Sequence, residues 1–170
     1  MDKGCVLWLT GLSASGKSTL AQEVGKALEG RGHAVEYLDG DQIRGVFPQT
    51  GFDRAARNEH IRRVGFLASR LEKHGVIVVA SFISPYKEAR DDVRSMCRHF
   101  FEIYLSTPLE TCKTRDPKGL YRKALEGKIT DFTGIGSPYE APQHAELVLD
   151  TSRLSIPEAR DKILALLPLR

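Results

Sequence analysis

The sequence is poor in cysteine, and its cysteines form no metal-binding pattern. Cys5, Cys97 and Cys112 are an odd number of three, and no CxxC pair occurs. A disulfide framework is therefore not indicated. Three unpaired thiols are typical of a protein in a reducing, intracellular compartment.

Strong charge and long apolar runs are missing as well. The 25 Lys and Arg residues exceed the 22 Asp and Glu residues by a net charge of only +3, which is too little by itself to indicate a nucleic-acid or membrane partner. The first apolar run, residues 5–9, is too short for a signal peptide or a membrane span. We therefore predict a cytoplasmic protein with no targeting signal, no nucleic-acid partner and no membrane partner.

The composition that remains is that of an ordinary folded domain. The chain has 170 residues, of which 41% are hydrophobic and 28% are charged, and this length predicts one domain over residues 1–170. Short apolar runs alternate with longer segments of helical period, which predicts a parallel sheet with crossover helices. The predicted strands are residues 5–10, 34–38, 76–81, 101–105 and 146–149.

Three sets of apolar residues have helical spacing, and the first two end near glycines that would stop a helix. Between residues 107 and 143 the chain is polar, carries several Gly and Pro residues and shows no apolar period. Long irregular segments inside a domain are commonly lids or binding loops, so we predict a lid at about residues 115–142. The three helical sets are Leu20, Val24, Ala27 and Leu28; Ile61, Val64, Leu67, Ala68 and Leu71; and Ile156, Ile163, Leu166 and Leu167.

Residues 11–18 read GLSASGKS and match the phosphate-binding pattern GxxxxGK[ST]. The motif lies between a predicted strand and a predicted helix, where glycines allow a tight turn and backbone N–H groups point at the phosphates of a nucleotide. Lys17 would lie along the β- and γ-phosphates. Ser18 would place its hydroxyl on Mg²⁺, which takes up charge during phosphoryl transfer. The motif predicts nucleotide binding and leaves the acceptor open.

Two carboxylates follow the second predicted strand. Asp39 and Asp41 lie where the carboxyl ends of parallel strands line a ligand crevice, within reach of Mg²⁺ or of an acceptor hydroxyl. The alternative is an Asp-Gly turn with solvated side chains. Beside a P-loop, we favour the functional interpretation.

The next part of the sequence is rich in arginine, with Phe52 among the arginines. A helix that carries them can simply be solvated on one face, which is our interpretation for Arg54. Clustered guanidinium groups beside the crevice would also bind an anion in bidentate fashion, and a lone aromatic offers a face for a base. The combination indicates an acceptor with both an anion and a ring. The arginines are Arg44, Arg54, Arg57, Arg62 and Arg63.

These residues resemble the adenylylsulfate kinase (APS kinase) family over essentially the whole chain. Besides the P-loop at residues 11–19, several separate segments match in the family's order, and such a set is highly specific. The segments are LDGDQIR at 38–44, IRRVG at 61–65, SFISPY at 81–86, RD at 115–116, KGLY at 118–121, FTGI at 132–135 and SPYE at 137–140. The implied fold is a three-layer α/β sandwich of the P-loop NTPase type, with a parallel sheet and a lid segment.

The family transfers the γ-phosphoryl group of MgATP to the 3′-hydroxyl of adenosine 5′-phosphosulfate (APS), which gives 3′-phosphoadenosine 5′-phosphosulfate (PAPS) in sulfate activation and assimilation. The resemblance therefore implies a kinase that uses ATP and APS, with Mg²⁺ as cofactor and direct in-line transfer. It is compatible with a homodimer and with ATP sulfurylase as a working partner, and the sequence decides neither.

The resemblance also implies roles for single residues. Lys17, Asp41 and Ser84 fall on catalytic positions, with Asp41 as the base or orienter of the 3′-hydroxyl, and Ser18 falls on the metal-ligand position. ATP-binding positions are Gly11, Ser13, Ala14, Ser15, Gly16, Lys17, Ser18, Thr19 and Arg115, of which Arg115 packs against the ATP base.

The acceptor positions divide by the part of APS that they contact. Phe52 and Phe132 resemble the pair that holds the acceptor adenine, and Arg44 and Arg57 resemble the contacts to the phosphosulfate. The full acceptor set is Asp39, Asp41, Arg44, Phe52, Arg57, His60, Ile83, Ser84, Lys118 and Phe132.

The family resemblance leaves three positions with a role or residue of their own: Ser84, His60 and Gly136. Ser84 matches a serine regarded in the family as a phosphoserine intermediate, but neither His nor Lys is its immediate neighbour, so a pocket-lining role is favoured. His60 replaces a common Asn; it keeps a hydrogen-bonding side chain, changes its reach and adds a group that titrates near neutral pH. Gly136 replaces a common Asp in the predicted lid, which removes a carboxylate and loosens the backbone.

Two other classes of protein would share the P-loop. Another small-molecule P-loop kinase, with a nucleoside monophosphate or a sugar acid as acceptor, would not require the set formed by Asp39-Gly40-Asp41, Phe52 and Phe132. A GTP-binding switch is the second alternative, because residues 131–134 match DxxG. That match lies in the predicted lid rather than at a strand end, and no NKxD signature accompanies it, so we interpret it as chance.

Overall fold

A single parallel sheet organises the chain in the computed structural model, which describes residues 4–47 and 51–167. Its five strands have the order β2-β3-β1-β4-β5, and every neighbouring pair is parallel. Each predicted strand is confirmed to within one residue at either end. The strands are β1 (Cys5–Gly11), β2 (Val35–Asp39), β3 (Ile77–Ser81), β4 (Phe100–Leu105) and β5 (Leu147–Leu149).

The helices of the described residues are α1 (Lys17–Glu29), α2 (Gly40–Val46), α3 (Arg54–Lys73), α4 (Lys87–Met96), α5 (Leu109–Arg115), α6 (Leu120–Leu125) and α7 (Ile156–Leu164). The first two predicted helices are confirmed as α1 and α3. Within the two described ranges, none of these helices is long and apolar enough to cross a membrane.

The sheet lies between two layers of helices. Leu7 and Leu9 of β1 pack into one core with α1 and α7, whereas Val6 and Trp8 pack into a second core with α3 and α4. Side chains of a strand alternate between the faces of a sheet, so the continuous apolar run of β1 supplies both cores. The predicted three-layer sandwich is confirmed.

Two predictions were wrong in part. Residues 107–143 are not irregular throughout, because α5 and α6 lie inside this segment. These helices have 7 and 6 residues and bury only Cys112, Tyr121 and Ala124, which is too short a run to produce an apolar period in the sequence. The last helix also ends at Leu164, although Leu167 beyond it still packs in the core.

Gly65 brings α3 and α4 into close contact. A Cβ atom at this position would lie 2.5 Å from Val93 Cγ2 and 3.0 Å from Val93 Cγ1. We therefore expect Gly65→Ala to lower the free energy of unfolding by about 1–3 kcal/mol through overpacking, as measured by urea denaturation.

The double variant Gly65→Ala/Val93→Ala tests the cause. Because it removes the side chain that the new methyl group meets, it should lose less stability than the sum of the two single changes. Gly45→Ala is the matched control, since a Cβ atom there meets nothing within 4 Å. A Gly65→Ala protein as stable as the parent would contradict this account of the packing.

Candidate active site

The P-loop joins the carboxyl end of β1 to the start of α1. Ala14 and Gly16 have positive φ angles of 60° and 94°, which turn the chain sharply just before the helix. Gly11 has no room for a side chain, because a Cβ atom would lie 2.8 Å from the Leu105 carbonyl oxygen. Among the described residues no side chain caps α1. Its first N–H groups therefore remain available to an anion.

Lys17 is buried against the inside of this loop. Its Nζ donates hydrogen bonds to the carbonyl oxygens of Gly11 at 3.0 Å and Leu12 at 2.6 Å, and it lies 3.4 Å from Ser15 Oγ. Burial lowers the pKa of Lys17 from 10.5 to about 8. The ammonium group is thus short of opposite charge, and a phosphate would supply it.

Ser18 links the P-loop to the ends of two other strands. Its hydroxyl donates to Asp39 Oδ2 at 2.9 Å and lies 3.4 Å from Ser81 Oγ. Asp39 also caps α2, because Oδ1 accepts a hydrogen bond from the Asp41 N–H at 3.0 Å. The hydroxyl and carboxylate oxygens come from the ends of β2 and β3 and from the first turn of α1.

This oxygen set fits Mg²⁺. Mg²⁺ prefers oxygen ligands and is commonly held by one or two carboxylates together with substrate phosphates and water. In the part of the chain that the structure describes, no group of three or more His, Cys, Asp and Glu side chains could hold a metal without such help. Ser18 and Asp39 are the residues that would hold the ion.

Asp41 forms an ion pair with Lys118, which lies between α5 and α6. The Asp41 side chain is 74% exposed and the Lys118 side chain is 57% exposed. A solvated pair of this kind contributes roughly 0–1 kcal/mol, so a substrate can replace either partner at little cost.

Ser84 is buried and held in a strained conformation, with φ at 39°. Its hydroxyl donates to Thr10 Oγ1 at 2.8 Å and accepts from Trp8 Nε1 at 3.1 Å. Its carbonyl oxygen accepts from Arg90 Nη1 at 2.7 Å. Because the hydroxyl is turned toward β1, where it donates its proton to Thr10 and accepts from Trp8, the geometry supports the pocket-lining role over a covalent one.

The aromatic and arginine residues predicted for the acceptor lie together. Arg44 lies 4.8 Å from the centre of the Phe52 ring, and Phe52 is 63% exposed. The Phe132 ring packs edge-on against Tyr121, with 5.0 Å between the ring centres. Arg57 is buried and donates to groups beside both phenylalanines.

His60 is buried with no partner for either ring nitrogen among the described residues. Burial, together with the nearby charges of Arg44 and Arg63, lowers the pKa of His60 to about 4. The expectation of a group that titrates near neutral pH was therefore wrong, since this imidazole is neutral there. The buried fraction of the ring decides this, and the sequence does not reveal it.

A cleft of about 810 Å³ brings most of the predicted residues together. Gly11, Ser15 and Arg115 are absent from the lining that the described residues give it. Gly11 and Ser15 instead accept hydrogen bonds from Lys17 Nζ. Arg115 donates to Thr151, whose hydroxyl donates to the Ser15 carbonyl oxygen. The predicted residues that do line the cleft are Ser13, Ala14, Gly16, Lys17, Ser18, Thr19, Asp39, Asp41, Arg44, Phe52, Arg57, His60, Ile83, Ser84, Lys118 and Phe132.

Three of the five arginines are engaged on the surface instead. Arg54 pairs with Glu88 and Glu140, Arg62 with Asp92, and Arg63 with Glu59. The solvated interpretation of Arg54 is thus in keeping with the structure. For Arg62 and Arg63 the structure likewise gives surface ion pairs and no place in the cleft lining.

Sequence reasoning missed the side chains that hold the loops around the cleft. Arg90 is 2% exposed and donates to Glu102 Oε1, Ser84 O and Glu140 O. It lies in a charged stretch, where nothing marks one arginine as buried. Thr133 is also buried. It directly follows Phe132 in the family-like segment 132–135, and this position in the sequence could have indicated its role.

A P-loop at the end of the central strand, beside a cleft lined with carboxylates, arginines and phenylalanines, defines a P-loop kinase with a small-molecule acceptor. A family model described as Adenylylsulphate kinase matches residues 3–150. The chain therefore belongs to the adenylylsulphate kinase family.

Similar proteins support this membership. An adenylyl-sulfate kinase of Geotalea uraniireducens is 52% identical over 157 residues, which cover 91% of this chain and 76% of the relative. An adenylyl-sulfate kinase of Synechococcus sp. (strain JA-3-3Ab) is 47% identical over 163 residues, which cover 95% of this chain and 93% of the relative. A solved structure of the Mycobacterium tuberculosis APS kinase in complex with AMPPNP and APS superposes with a TM-score of 0.93 at 41% identity, and covers 98% of either chain.

The lowered pKa of Lys17 predicts proton-linked nucleotide binding. A bound phosphate favours the charged ammonium and raises this pKa above its free value of about 8. Above that pH the nucleotide must bind together with a proton, so we expect affinity for ADP to weaken as the pH rises from about 7.5 to about 9.5.

Calorimetric titration in two buffers of different ionisation enthalpy measures the proton uptake directly. Lys17→Met is the comparison, because it cannot take up the proton and should bind weakly with little pH dependence. Equal affinity of the parent protein at both pH values would contradict the prediction.

Proposed function

We propose that this protein transfers the γ-phosphoryl group of ATP to the 3′-hydroxyl of APS, which gives ADP and PAPS. The observation that carries the proposal is the continuity of one cleft, lined on one side by Lys17 and Ser18 of the P-loop and on the other by Phe52 and Phe132. A nucleotide donor and an aromatic acceptor can therefore occupy one continuous cleft.

The nucleotide side of the proposal rests on charge. The uncapped start of α1 and the buried ammonium of Lys17 supply positive potential for the β- and γ-phosphates. Ser18 and Asp39 would hold Mg²⁺, which neutralises charge on the phosphate oxygens when it is bound. The P-loop residues 11–19 then keep the γ-phosphoryl group in line with the acceptor, and Arg115 remains the proposed contact to the ATP base.

The acceptor side combines two kinds of contact. Phe52 and Phe132 would offer the faces for the adenine ring, and Arg44 and Arg57, which contact Phe52 and line the same cleft, would bind the phosphosulfate. His60, Ile83 and Ser84 form the wall behind them. Ser84 serves in that wall as a positioning residue, because its hydroxyl is committed to Thr10 and Trp8.

Asp41 is the proposed base. As the 3′-oxygen forms its bond to the γ-phosphorus, the bond from that phosphorus to the β,γ-bridging oxygen breaks and the hydroxyl proton passes to the Asp41 carboxylate. Lys118 pairs with Asp41 in the substrate-free protein. When the 3′-hydroxyl replaces Lys118 as the partner of the Asp41 carboxylate, the Lys118 ammonium group can bind the transferred phosphoryl group.

The rest of the proposal concerns the chain's organisation and surroundings. We infer that residues 1–170 form one domain, with a lid at about residues 115–142 that closes over the substrates. The free thiols of Cys5, Cys97 and Cys112 support a reducing compartment, the cytoplasm. A second copy of the chain and an ATP sulfurylase, which would supply APS, are the proposed protein partners.

A panel of acceptors tests the reaction. With MgATP as donor, we expect ADP formation with APS to exceed that with AMP or gluconate by at least about a hundredfold in kcat/KM, because the cleft pairs an anion site with an aromatic slot. The product should carry its new phosphate on the 3′-oxygen, which phosphorus NMR resolves. Equal turnover of AMP or gluconate would favour another small-molecule P-loop kinase and overturn the proposal.

Asp41→Asn tests the base. The change keeps the size of the side chain and removes the proton acceptor, so kcat should fall at least about a hundredfold while KM for ATP and for APS changes little. Asp92→Asn is the matched control, since Asp92 pairs with Arg62 on the surface and should leave kcat intact. An active Asp41→Asn protein beside an inactive Asp39→Asn protein would mean that the two carboxylates have exchanged roles.

A further inference from the structure

The guanidinium group of Arg57 joins two parts of the chain that are far apart in the sequence. Its Nε donates to the Phe52 carbonyl oxygen at 2.5 Å, its Nη1 donates to Thr133 Oγ1 at 2.6 Å, and its Nη2 donates to the Asp131 carbonyl oxygen. The side chain is 9% exposed. One rigid, planar group thus holds the loop before α3 and the segment after α6.

These three acceptors surround the two phenylalanines proposed for the adenine slot. Phe52 is fixed through its own carbonyl, and Phe132 is fixed through the residue on either side of it. Neither ring is enclosed by a core, because Phe52 is 63% exposed and Phe132 is half-buried, with Tyr121 packed edge-on against its ring. Their separation therefore depends on the hydrogen bonds of Arg57 more than on a surrounding core.

We propose that Arg57 is a positioning residue that sets the spacing of Phe52 and Phe132 and so preforms the slot for the acceptor base. The inference rests on the proposed function and deepens it. A guanidinium has five N–H donors, of which three are used here. Two remain for an anionic group of the acceptor, so the positioning role and an anion contact can coexist in one side chain.

The two roles differ in what they require of the side chain. An anion contact needs positive charge, which lysine also supplies. Holding three acceptors that lie in different directions needs the planar fork, which lysine lacks. Arg57→Lys therefore keeps the charge and removes the fork, and Thr133→Val keeps Arg57 intact while it removes one of the three acceptors.

A neutral ligand separates these roles experimentally. Adenosine has the ring but no phosphosulfate, so a pure anion contact contributes nothing to its binding. With the ATP site filled by a non-hydrolysable ATP analogue and Mg²⁺, we expect Arg57→Lys to weaken adenosine binding on the order of tenfold in calorimetric titration. Thr133→Val should weaken it in the same direction by a smaller factor.

The double variant and a control sharpen the test. In the Arg57→Lys background, Thr133→Val should weaken adenosine binding little further, because the Arg57–Thr133 hydrogen bond is already lost. Thr114→Val makes the same chemical change in α5, where the threonine hydroxyl bonds only to the Glu110 carbonyl oxygen among the described residues, and it should leave adenosine binding unchanged. Hydrogen exchange across residues 128–134 should quicken in Arg57→Lys and Thr133→Val and not in Thr114→Val.

The outcomes are distinct. If the parent protein binds adenosine and Arg57→Lys binds it equally well with unchanged exchange, Arg57 acts as an anion contact alone and the inference is overturned while the proposed function stands. If the parent protein binds neither adenosine nor APS, the proposed function fails and the inference fails with it. If Arg57→Lys does not fold, Thr133→Val decides, and unchanged adenosine affinity in that variant overturns the inference.

Discussion

The burial of β1 is the constraint on which the rest of the structure depends. Every residue of this strand is buried, and it pairs in parallel with β3 on one side and β4 on the other. Parallel strands bring all their carboxyl ends to one edge of the sheet. This arrangement alone brings together the P-loop after β1, Asp39 at the end of β2 and Ser81 at the end of β3. The same strand anchors one wall of the cleft, because Trp8 and Thr10 bond to Ser84, which lines it.

The parts that could be predicted from sequence are those with a local cause. The strands are apolar runs between turn residues, and the P-loop has a fixed spacing, so both follow from neighbouring residues. The short helices α5 and α6 could not be found because they make too few turns to show a period. Contacts such as Arg57 with Thr133 and Lys118 with Asp41 join residues 76 and 77 positions apart. They follow only from the way the sheet folds the chain.

His60 illustrates how burial overrides residue type. As a residue it is the usual side chain for a response near neutral pH, yet burial and two neighbouring guanidinium groups keep it uncharged. Its two nitrogens have no partner among the described residues, and an unsatisfied buried polar group costs about 1–3 kcal/mol. A neutral imidazole adds no positive charge to the cleft, so in the proposed acceptor site that charge would come from Arg44, Arg57 and Lys118.

The charged contacts of the cleft fall into two kinds, and their burial separates them. The Lys118–Asp41 pair is solvated and weak, so in the proposed reaction the substrates would replace it, with a hydroxyl at Asp41 and a phosphoryl group at Lys118. The contacts of Arg57 and Arg90 are buried. Losing Glu102 would leave the Arg90 charge uncompensated away from water, and losing an acceptor such as Thr133 would leave an Arg57 N–H group without a partner. An exposed ion pair is therefore suited to a reacting site, where substrate groups must replace its partners. Buried ones are suited to holding the shape of the cleft, in which partners must stay the same.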